Sequence, residues 1–114
     1  MNEIKNRVQL MGNLGGDPEL KTFTSGKTKA TFSMATNERY KNQDGDWITT
    51  TQWHTIIGWD NIAKRMEKIL KKGSEVIIFG KLMYRQYEDT SGSKKTITEI
   101  NADNFEIISK KQEA

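Results

Sequence analysis

The 114-residue sequence predicts an all-β protein, a small five-stranded barrel with one short α-helix between the third and fourth long strands. Three observations support this prediction. Most segments alternate apolar and polar residues with the period of a strand. Turn residues, mainly glycine beside serine or aspartate, separate these segments. One segment in the middle of the chain has helical spacing instead.

Alternation and turn signals define the strands of the first half. Val8 and Leu10 fall on one side of the first strand, which ends at a glycine-rich segment, 12–18, that contains the only proline. Ser25-Gly26-Lys27 and Asp44-Gly45 are typical of tight hairpin turns. The first strand is expected to alternate from residue 7 up to the glycine-rich segment. The strands that follow are expected at residues 19–24, 28–37 and 47–59, and the one at 19–24 is short.

The period changes after residue 59, and one helix of about three turns is expected there. Ile62 and Met66 recur at helical spacing, while the cations of this segment fall on the opposite side, which we interpret as a solvated face. Asp60 or Asn61 is expected to cap the start of the helix. Gly73 is expected to supply the left-handed residue after its end.

Two further strands follow the helix. They are expected at residues 75–87 and 95–108, joined by the turn Ser91-Gly92-Ser93 and with a polar interruption at 101–104. Three phenylalanines lie among apolar neighbours in strand segments: Phe32, Phe79 and Phe105. We therefore expect these three side chains in the core.

The order of the elements identifies the predicted fold. Three long strands, a helix and two more strands follow the order of the OB-fold, a small Greek-key barrel. An SH3-like barrel lacks a helix at this place, and a ferredoxin-like fold requires two helices. The length fits one domain, expected over residues 1–109, with a short disordered C-terminal remnant at 110–114.

The composition excludes several classes of function. The chain has no cysteine, so disulfides and cysteine-ligated metals are excluded, and its single histidine, His54, cannot form a histidine cluster. No constellation of nucleophile and base suggests an enzyme, and no cofactor is expected. No segment resembles a membrane helix or a signal peptide, which favours a cytoplasmic protein. The net charge of +3 mildly favours a polyanionic partner.

The most informative segment is 52–59, in which Trp53 and Trp59 lie six residues apart in an alternating strand. Even spacing places both rings on one face and His54 on the other. OB barrels commonly bind single strands by stacking bases on aromatic rings beside cations. Spacing alone favours a surface position and a core position equally for the two tryptophans. Tyr40 and Tyr87, flanked by charged residues, are expected on the surface.

Five short motifs follow one another along the chain. They are the opening segment 6–19, T-x-W-H at 51–54, L-x-K-G-x-x-V at 70–76, x-G-x-L at 79–82 and aromatic-x-D-x-x-G at 87–92. Together they resemble the bacterial single-stranded DNA-binding protein family, from about residue 4 to residue 108. The match of all five in order is far more specific than any one of them.

The resemblance implies an OB-fold that assembles as a homotetramer and binds single-stranded DNA, without sequence preference, in replication, recombination and repair. It implies a cytoplasmic, nucleoid-associated protein. The implied base-stacking residues are Tyr40, Trp53, Trp59 and Tyr87, and the implied DNA-contacting cations are Arg7, Lys72 and Arg85. The implied interface residues are His54, near a subunit interface, and Lys5, Val8 and Leu10 of the first strand, which pairs across the dimer.

The sequence departs from the family pattern at a few positions. Tyr40 and Tyr87 replace tryptophans, Trp59 replaces a phenylalanine, and Gln86 replaces a common basic residue. Each aromatic exchange keeps a π-face. Family members usually continue into a flexible linker and an acidic tip that recruits replication and repair enzymes, whereas this sequence ends at 110–114. Whether replication and repair enzymes are recruited through such a tip therefore stays open.

Two other functions remain alternatives at this point. One is an OB-fold interaction module, such as a primosome subunit that resembles this family, for which a dimer with weak DNA affinity is expected. The other is an enzyme, which the residues do not favour. If the aromatic rings of Tyr40, Trp53, Trp59 and Tyr87 had only a structural role, we would expect them to fill the barrel.

Overall fold

The computed structural model describes residues 5–109, which fold into six strands and one helix. In chain order these are β1 (Val8–Leu14), β2 (Glu19–Thr22), β3 (Thr28–Lys41), β4 (Trp47–Trp59), α1 (Asn61–Ile69), β5 (Glu75–Glu88) and β6 (Lys94–Ser109). The expected C-terminal remnant at 110–114 lies outside the described residues.

Five of the strands close into a barrel. β1 pairs with β5, β5 with β6, β6 with β4, β4 with β3, and β3 returns to β1. All these pairs are antiparallel except a short parallel contact of β4 with β6 at Ile56 and Ile100. The short β2 shares one edge of β3 with β1. The predicted OB-fold, with its helix between the third and fourth barrel strands, is confirmed.

The inward-facing side chains of the barrel strands form one core. Its fully buried members include Met34, Ile56 and Ile78, and Phe32 and Phe105 are buried as expected. The prediction of a core position for Phe79 is wrong. Phe79 is half-buried on the outer side of β5, because its neighbours on both sides face inward. Apolar residues on both faces of this strand concealed its period.

The helix packs against β3 and β4, but its start differs from the prediction. Met66 is fully buried, and a Cβ added to Gly58 would lie 2.6 Å from its sulfur, so close packing requires glycine there. Asp60 stands at the N-cap position without a side-chain capping bond. Its carboxylate instead accepts a hydrogen bond from the backbone N–H of Thr28, at 3.2 Å, which ties the helix start to β3.

Several element ends differ from the expected ones. β2 ends at Thr22 and β3 continues to Lys41. The helix ends at Ile69, and the left-handed glycine, Gly73, lies in the turn beyond the extended C-cap residue Leu70. The expected turns at Gly26, Gly45 and Gly92 are confirmed by positive φ angles at all three.

The start of β1 and the middle of β6 also differ from the sequence pattern. β1 begins at Val8, because the side-chain amide of Asn6, rather than its backbone, bonds to the backbone of Leu82 at 2.9 and 3.0 Å. The expected polar interruption in β6 is a β-bulge. Ala102 pairs with Gly80 and Asn104 with Phe79, so Asp103 is the extra residue and the strand continues.

The β3–β4 and β5–β6 hairpins extend beyond the barrel as two arms, covering about 36–52 and 83–98, and most of their residues are exposed. The radius of gyration is 16.3 Å. A compact chain of this length would have roughly 13 Å. The arms therefore present long sheet surfaces that the barrel itself does not cover.

Candidate nucleic-acid interface

The outward side of β4 forms the first part of the candidate site. The β3–β4 ladder runs without a break from the Lys29–Trp59 pair to the Lys41–Trp47 pair. Since side chains alternate, Trp47, Trp53 and Trp59 lie on one side of this ladder, successive rings being about 20 Å apart along the strand. We call this side of β3 and β4 the tryptophan face. The predicted common face of Trp53 and Trp59 is confirmed, and Trp47 shares it.

Trp53 is an exposed ring supported by the β1–β2 loop. Its side chain is 62% exposed, which answers the question of core or surface that spacing left open. A Cβ added to Gly15 would lie 2.6 Å from the ring carbon Cζ3. Gly15 therefore allows the indole to approach the loop closely. A ring that is held in place and still open to solvent is suited to stacking a base.

Trp59 lies in a different environment, because it is half-buried by a second ring and by cations. The Phe23 ring lies 5.9 Å away, tilted by 30°. The ammonium of Lys29 lies 5.8 Å from the Trp59 ring centroid, and that of Lys21 lies 5.0 Å from the Phe23 centroid. The result is a mixed aromatic and cationic cluster at the barrel end of the tryptophan face.

Sequence reasoning missed Phe23. The residue follows the end of β2 and reaches Trp59 across the β2–β3 hairpin. A signal was present, since Lys21 and Phe23 form a cation–aromatic pair two residues apart, the same spacing as Arg85 and Tyr87.

Trp47 lies at the outer end of the tryptophan face. The guanidinium of Arg39 lies 4.9 Å from its ring centroid. Arg39 is on the same side of the ladder, because it is paired with Thr49, two residues from Trp47. In the sequence, Trp47 opens a strand beside a polar hairpin, a position that is equally compatible with stacking on a base and with packing at the strand end. Its place beside a cation on an exposed arm makes it a further candidate for base contact.

Tyr40 and His54 lie on the opposite side of the β3–β4 ladder from Trp53. Tyr40 is paired with Ile48 and is 53% exposed, so its expected surface position is confirmed. The structure does not bring it to the tryptophan face. His54 is half-buried, and its Nε2 lies 3.0 Å from the Thr36 hydroxyl. His54 lies where the β3–β4 arm leaves the barrel, and Tyr40 lies further out on the arm.

Arg85 and Tyr87 share the outward side of β5, as their spacing predicts, and both are exposed. Arg85 donates two hydrogen bonds to the Glu99 carboxylate on β6, from Nε at 3.3 Å and from Nη2 at 3.0 Å. These hydrogen bonds raise the pKa of the guanidinium above its ordinary value. The bidentate contact also fixes the plane of the guanidinium.

A groove of about 260 Å³ joins the β4 part of the site to the β5–β6 part. Trp59 and Ile57 line it from β4, Arg85 from β5, and Glu99 and Asn101 from β6. Its lining is therefore apolar on the β4 side and polar on the β6 side. The groove brings two of the expected site residues, Trp59 and Arg85, to one place.

The other two expected cations lie apart from this groove. Arg7 precedes β1 and forms an ion pair with Asp103, the bulge residue of β6, at 2.6 Å. Lys72 is exposed in the loop between α1 and β5, where its backbone N–H donates to the Asp17 carboxylate at 2.7 Å. Asp17 belongs to the same β1–β2 loop as Gly15, so Lys72 lies on the Trp53 side of the site.

The expected interface residues lie on or beside β1. Lys5 precedes the strand, so its expected place within the strand is wrong. Val8 and Leu10 face inward and pack against the core. Three outward residues of this region are apolar: Met11, which is 57% exposed, its partner Ile77, and Phe79, two residues further along β5. The other outward residues of β1, Gln9 and Asn13, are polar and exposed. We call Met11, Ile77 and Phe79 the β1 face.

Residues 5–109 were searched for a metal site and for a membrane-spanning helix. Within this range no group of three or more histidine, cysteine, aspartate or glutamate side chains could hold a metal ion. In the same range no helix has the length and apolar character to cross a membrane.

Taken together, an OB barrel with exposed tryptophans and cations on one outer face defines a protein of the class that binds single-stranded nucleic acid. Residues 5–108 match the Single-strand binding protein family. The chain therefore belongs to this family, whose members are non-enzymatic DNA-binding proteins, and it binds single-stranded DNA.

Individual relatives agree with this assignment. The chain is 41% identical over 108 residues to a single-stranded DNA-binding protein of Bacteroides thetaiotaomicron, covering 93% of this chain and 67% of the relative. It is 36% identical over 109 residues to single-stranded DNA-binding protein 1 of Xylella fastidiosa, covering 95% and 80%. A solved complex of Plasmodium falciparum SSB with ssDNA has a TM-score of 0.84 and 32% identity, covering 91% of this chain and 95% of that one.

Proposed function

We propose that this chain forms a homotetramer that binds single-stranded DNA without general sequence preference and protects it during replication, recombination and repair. Residues 1–109 form the DNA-binding domain, and the protein works in the cytoplasm at the nucleoid. Bases stack on Trp53 and Trp59, with Tyr40 and Tyr87 as further stacking residues. Phosphates contact Arg7, Lys72 and Arg85.

The tryptophan face is the observation that supports this proposal most strongly. Trp53 is open to solvent, and Trp59 lies beside Phe23 and Lys29 in the same surface. Every base has a π-face, so stacking on such rings tolerates any sequence, and each stacked base contributes about 1–3 kcal/mol. Cations beside the rings add phosphate contacts that salt weakens.

Tyr40 and His54 lie on the side of the β3–β4 arm that is opposite to the tryptophan face. That side is not covered by the barrel beyond Thr36, and Tyr40 is exposed there. A strand of DNA that passes around the arm, or a second subunit packed against it, would contact this side. In the proposed tetramer this side makes both contacts: His54 lies at a subunit contact, and Tyr40 contacts the DNA.

The edge of β1 supports assembly. β5 occupies one edge of β1 over residues 8–13, whereas within residues 5–109 the other edge has a strand partner only at Asn13 and Leu14. A free strand edge is a template for pairing with another chain. The outward β1 face adds exposed apolar surface beside it. We propose that β1 pairs across a dimer and that two dimers associate through their β1 faces.

Titration with dT oligomers tests the proposal. We expect strong quenching of tryptophan fluorescence at low salt, weaker affinity at high salt, and saturation at an oligomer length that spans several subunits. Native mass spectrometry of the same sample should give a tetramer.

Two results would contradict the proposal. Absence of quenching at low salt would mean that DNA does not reach the tryptophan face. A dimeric mass with weak DNA binding would instead support the OB-fold interaction module.

A further inference from the structure

The groove between Trp59 and β6 contains a carboxylate that a phosphate-binding site would not need. Glu99 is 8% exposed and lines the groove beside Arg85. Its two oxygens accept the hydrogen bonds of the Arg85 guanidinium at 3.0 and 3.3 Å, so the two charges balance. A carboxylate repels a phosphate. The floor of this groove is therefore not suited to the DNA backbone.

The same floor is suited to a nucleobase. Ile57, buried beneath the groove, and the Trp59 ring offer apolar surface for the faces of a base. Glu99 and the half-buried Asn101 offer polar atoms for its edge. The volume of about 260 Å³ lies below the roughly 300 Å³ at which pockets for drug-sized ligands begin, which favours a single base.

The chemistry of the two polar side chains discriminates between bases. An ionised carboxylate only accepts hydrogen bonds, whereas an amide both donates and accepts. Cytosine presents an amino group where uracil and thymine present a carbonyl oxygen, and a carboxylate is the usual acceptor for that amino group. A base with an amino group is therefore favoured beside Glu99, and a carbonyl oxygen there faces a repulsive partner.

We propose that this groove receives one base per subunit and that Glu99, with Asn101, gives that position a preference for bases with an exocyclic amino group. The proposal rests on the proposed function, because DNA must first cross the tryptophan face. Stacking elsewhere remains tolerant of sequence, so the preference is confined to one nucleotide in each binding site. Lys29, which also lines the groove, and the donors of Arg85 that are not bonded to Glu99 are left for the flanking phosphates.

The test compares dC and dU oligomers of equal length, in which uracil has a carbonyl oxygen in place of the amino group and carries a proton on N3. Affinities are measured at mildly alkaline pH for the wild type, for Glu99→Gln and for Glu67→Gln. Glu67 is exposed on α1, so its variant makes the same change of charge outside the groove. We expect Glu99→Gln to lower the preference for dC over dU by about fivefold. Glu67→Gln should leave that preference unchanged.

In Glu99→Gln, Arg85 loses its charged partner, and the affinity for all DNA could rise as a result. Comparing the ratio of dC affinity to dU affinity between variants cancels such a general gain. If Glu99→Gln does not fold, the wild type alone decides the matter, because dC must bind more tightly than dU. An unchanged ratio in a folded Glu99→Gln, or a wild type without preference for dC, would overturn the inference and leave the proposed function intact. Failure of both oligomers to bind would contradict the proposed function instead.

Discussion

The tryptophan face and the β1 face are both outward surfaces of the same barrel, made by strands with the same alternation, yet they differ in chemistry. On the tryptophan face, rings lie beside cations: Trp59 beside Lys29 and Trp47 beside Arg39. On the β1 face, Met11 pairs with Ile77 next to a strand edge that is largely free within residues 5–109. A polyanion suits the first surface, and a second copy of the chain suits the other.

The largest effect is expected for Met11→Asp on the β1 face. In the proposed dimer–dimer contact this change buries a charge without a partner, at a cost of several kcal/mol. Native mass spectrometry should therefore detect dimers in place of tetramers. Binding of a short dT oligomer that occupies one subunit should stay unchanged, since the tryptophan face is intact.

Thr90→Asp is the control for that variant, because it adds the same charge in the exposed β5–β6 turn. It should remain tetrameric. If Met11→Asp also remains tetrameric, the β1 face is not the contact between dimers.

The next largest effect is expected for Trp53→Ala on the tryptophan face. Loss of one stacked base should weaken dT binding by about 1–3 kcal/mol, which is roughly 5- to 150-fold. The ring is 62% exposed, so thermal unfolding should change little. Trp59→Ala should weaken binding too, but it should also lower the unfolding temperature, because Trp59 contacts Phe23. An unfolded Trp53→Ala protein would show that this ring has a structural role.

The sequence was sufficient to predict much of the fold and part of this site. Alternation alone placed Trp53 and Trp59 on one face, because the ladder between β3 and β4 contains no bulge. Alternation could not predict how exposed each ring is. That difference depends on contacts between distant segments, Gly15 with Trp53 and Phe23 with Trp59.

The wrong predictions have different physical causes, and a competing tertiary contact explains only that of Asp60. Asp60 has the residue type of a helix cap, yet its carboxylate accepts the hydrogen bond of the Thr28 N–H from a neighbouring strand. Phe79 has apolar neighbours, yet its parity turns it outward. Arg85 and Glu99 form a diagonal pair across the β5–β6 hairpin. This pair depends on the register between the two strands, and the position of the turn in the sequence did not define that register.

A smaller effect is expected for Gly15→Ala, which tests how Trp53 is positioned. The added Cβ would lie 2.6 Å from the indole, so the ring must move and dT affinity should fall a few-fold. Gly16→Ala is the matched control, because a Cβ there meets nothing within 4 Å. In a Trp53→Ala background most of the Gly15 effect should disappear, because the Ser33 hydroxyl, 3.0 Å from the added Cβ, is then the remaining close contact. Equal losses with and without Trp53 would show that Gly15 acts by another route.

The smallest effect is expected from Asp89, in the turn that ends the β5–β6 arm. Hydrogen bonds from the Ser91 hydroxyl and from the backbone N–H groups of Ser91 and Ser93 lower the pKa of this carboxyl group. Its contribution to stability is therefore full above the ordinary aspartate pKa and disappears as the pH falls through the lowered value. Asp89→Asn should slightly lower the unfolding temperature at neutral pH and reduce its decrease in acid. An unchanged acid profile would contradict this role.

The most direct test of the division between the two faces is photo-crosslinking of the wild-type protein to a dT oligomer that contains 5-iododeoxyuridine, followed by mass spectrometric mapping. We expect crosslinks at Trp53 and Trp59 and none on the β1 face. Crosslinks at Met11 or Phe79, with the tryptophans unmodified, would contradict it and would place the DNA on the surface assigned here to assembly.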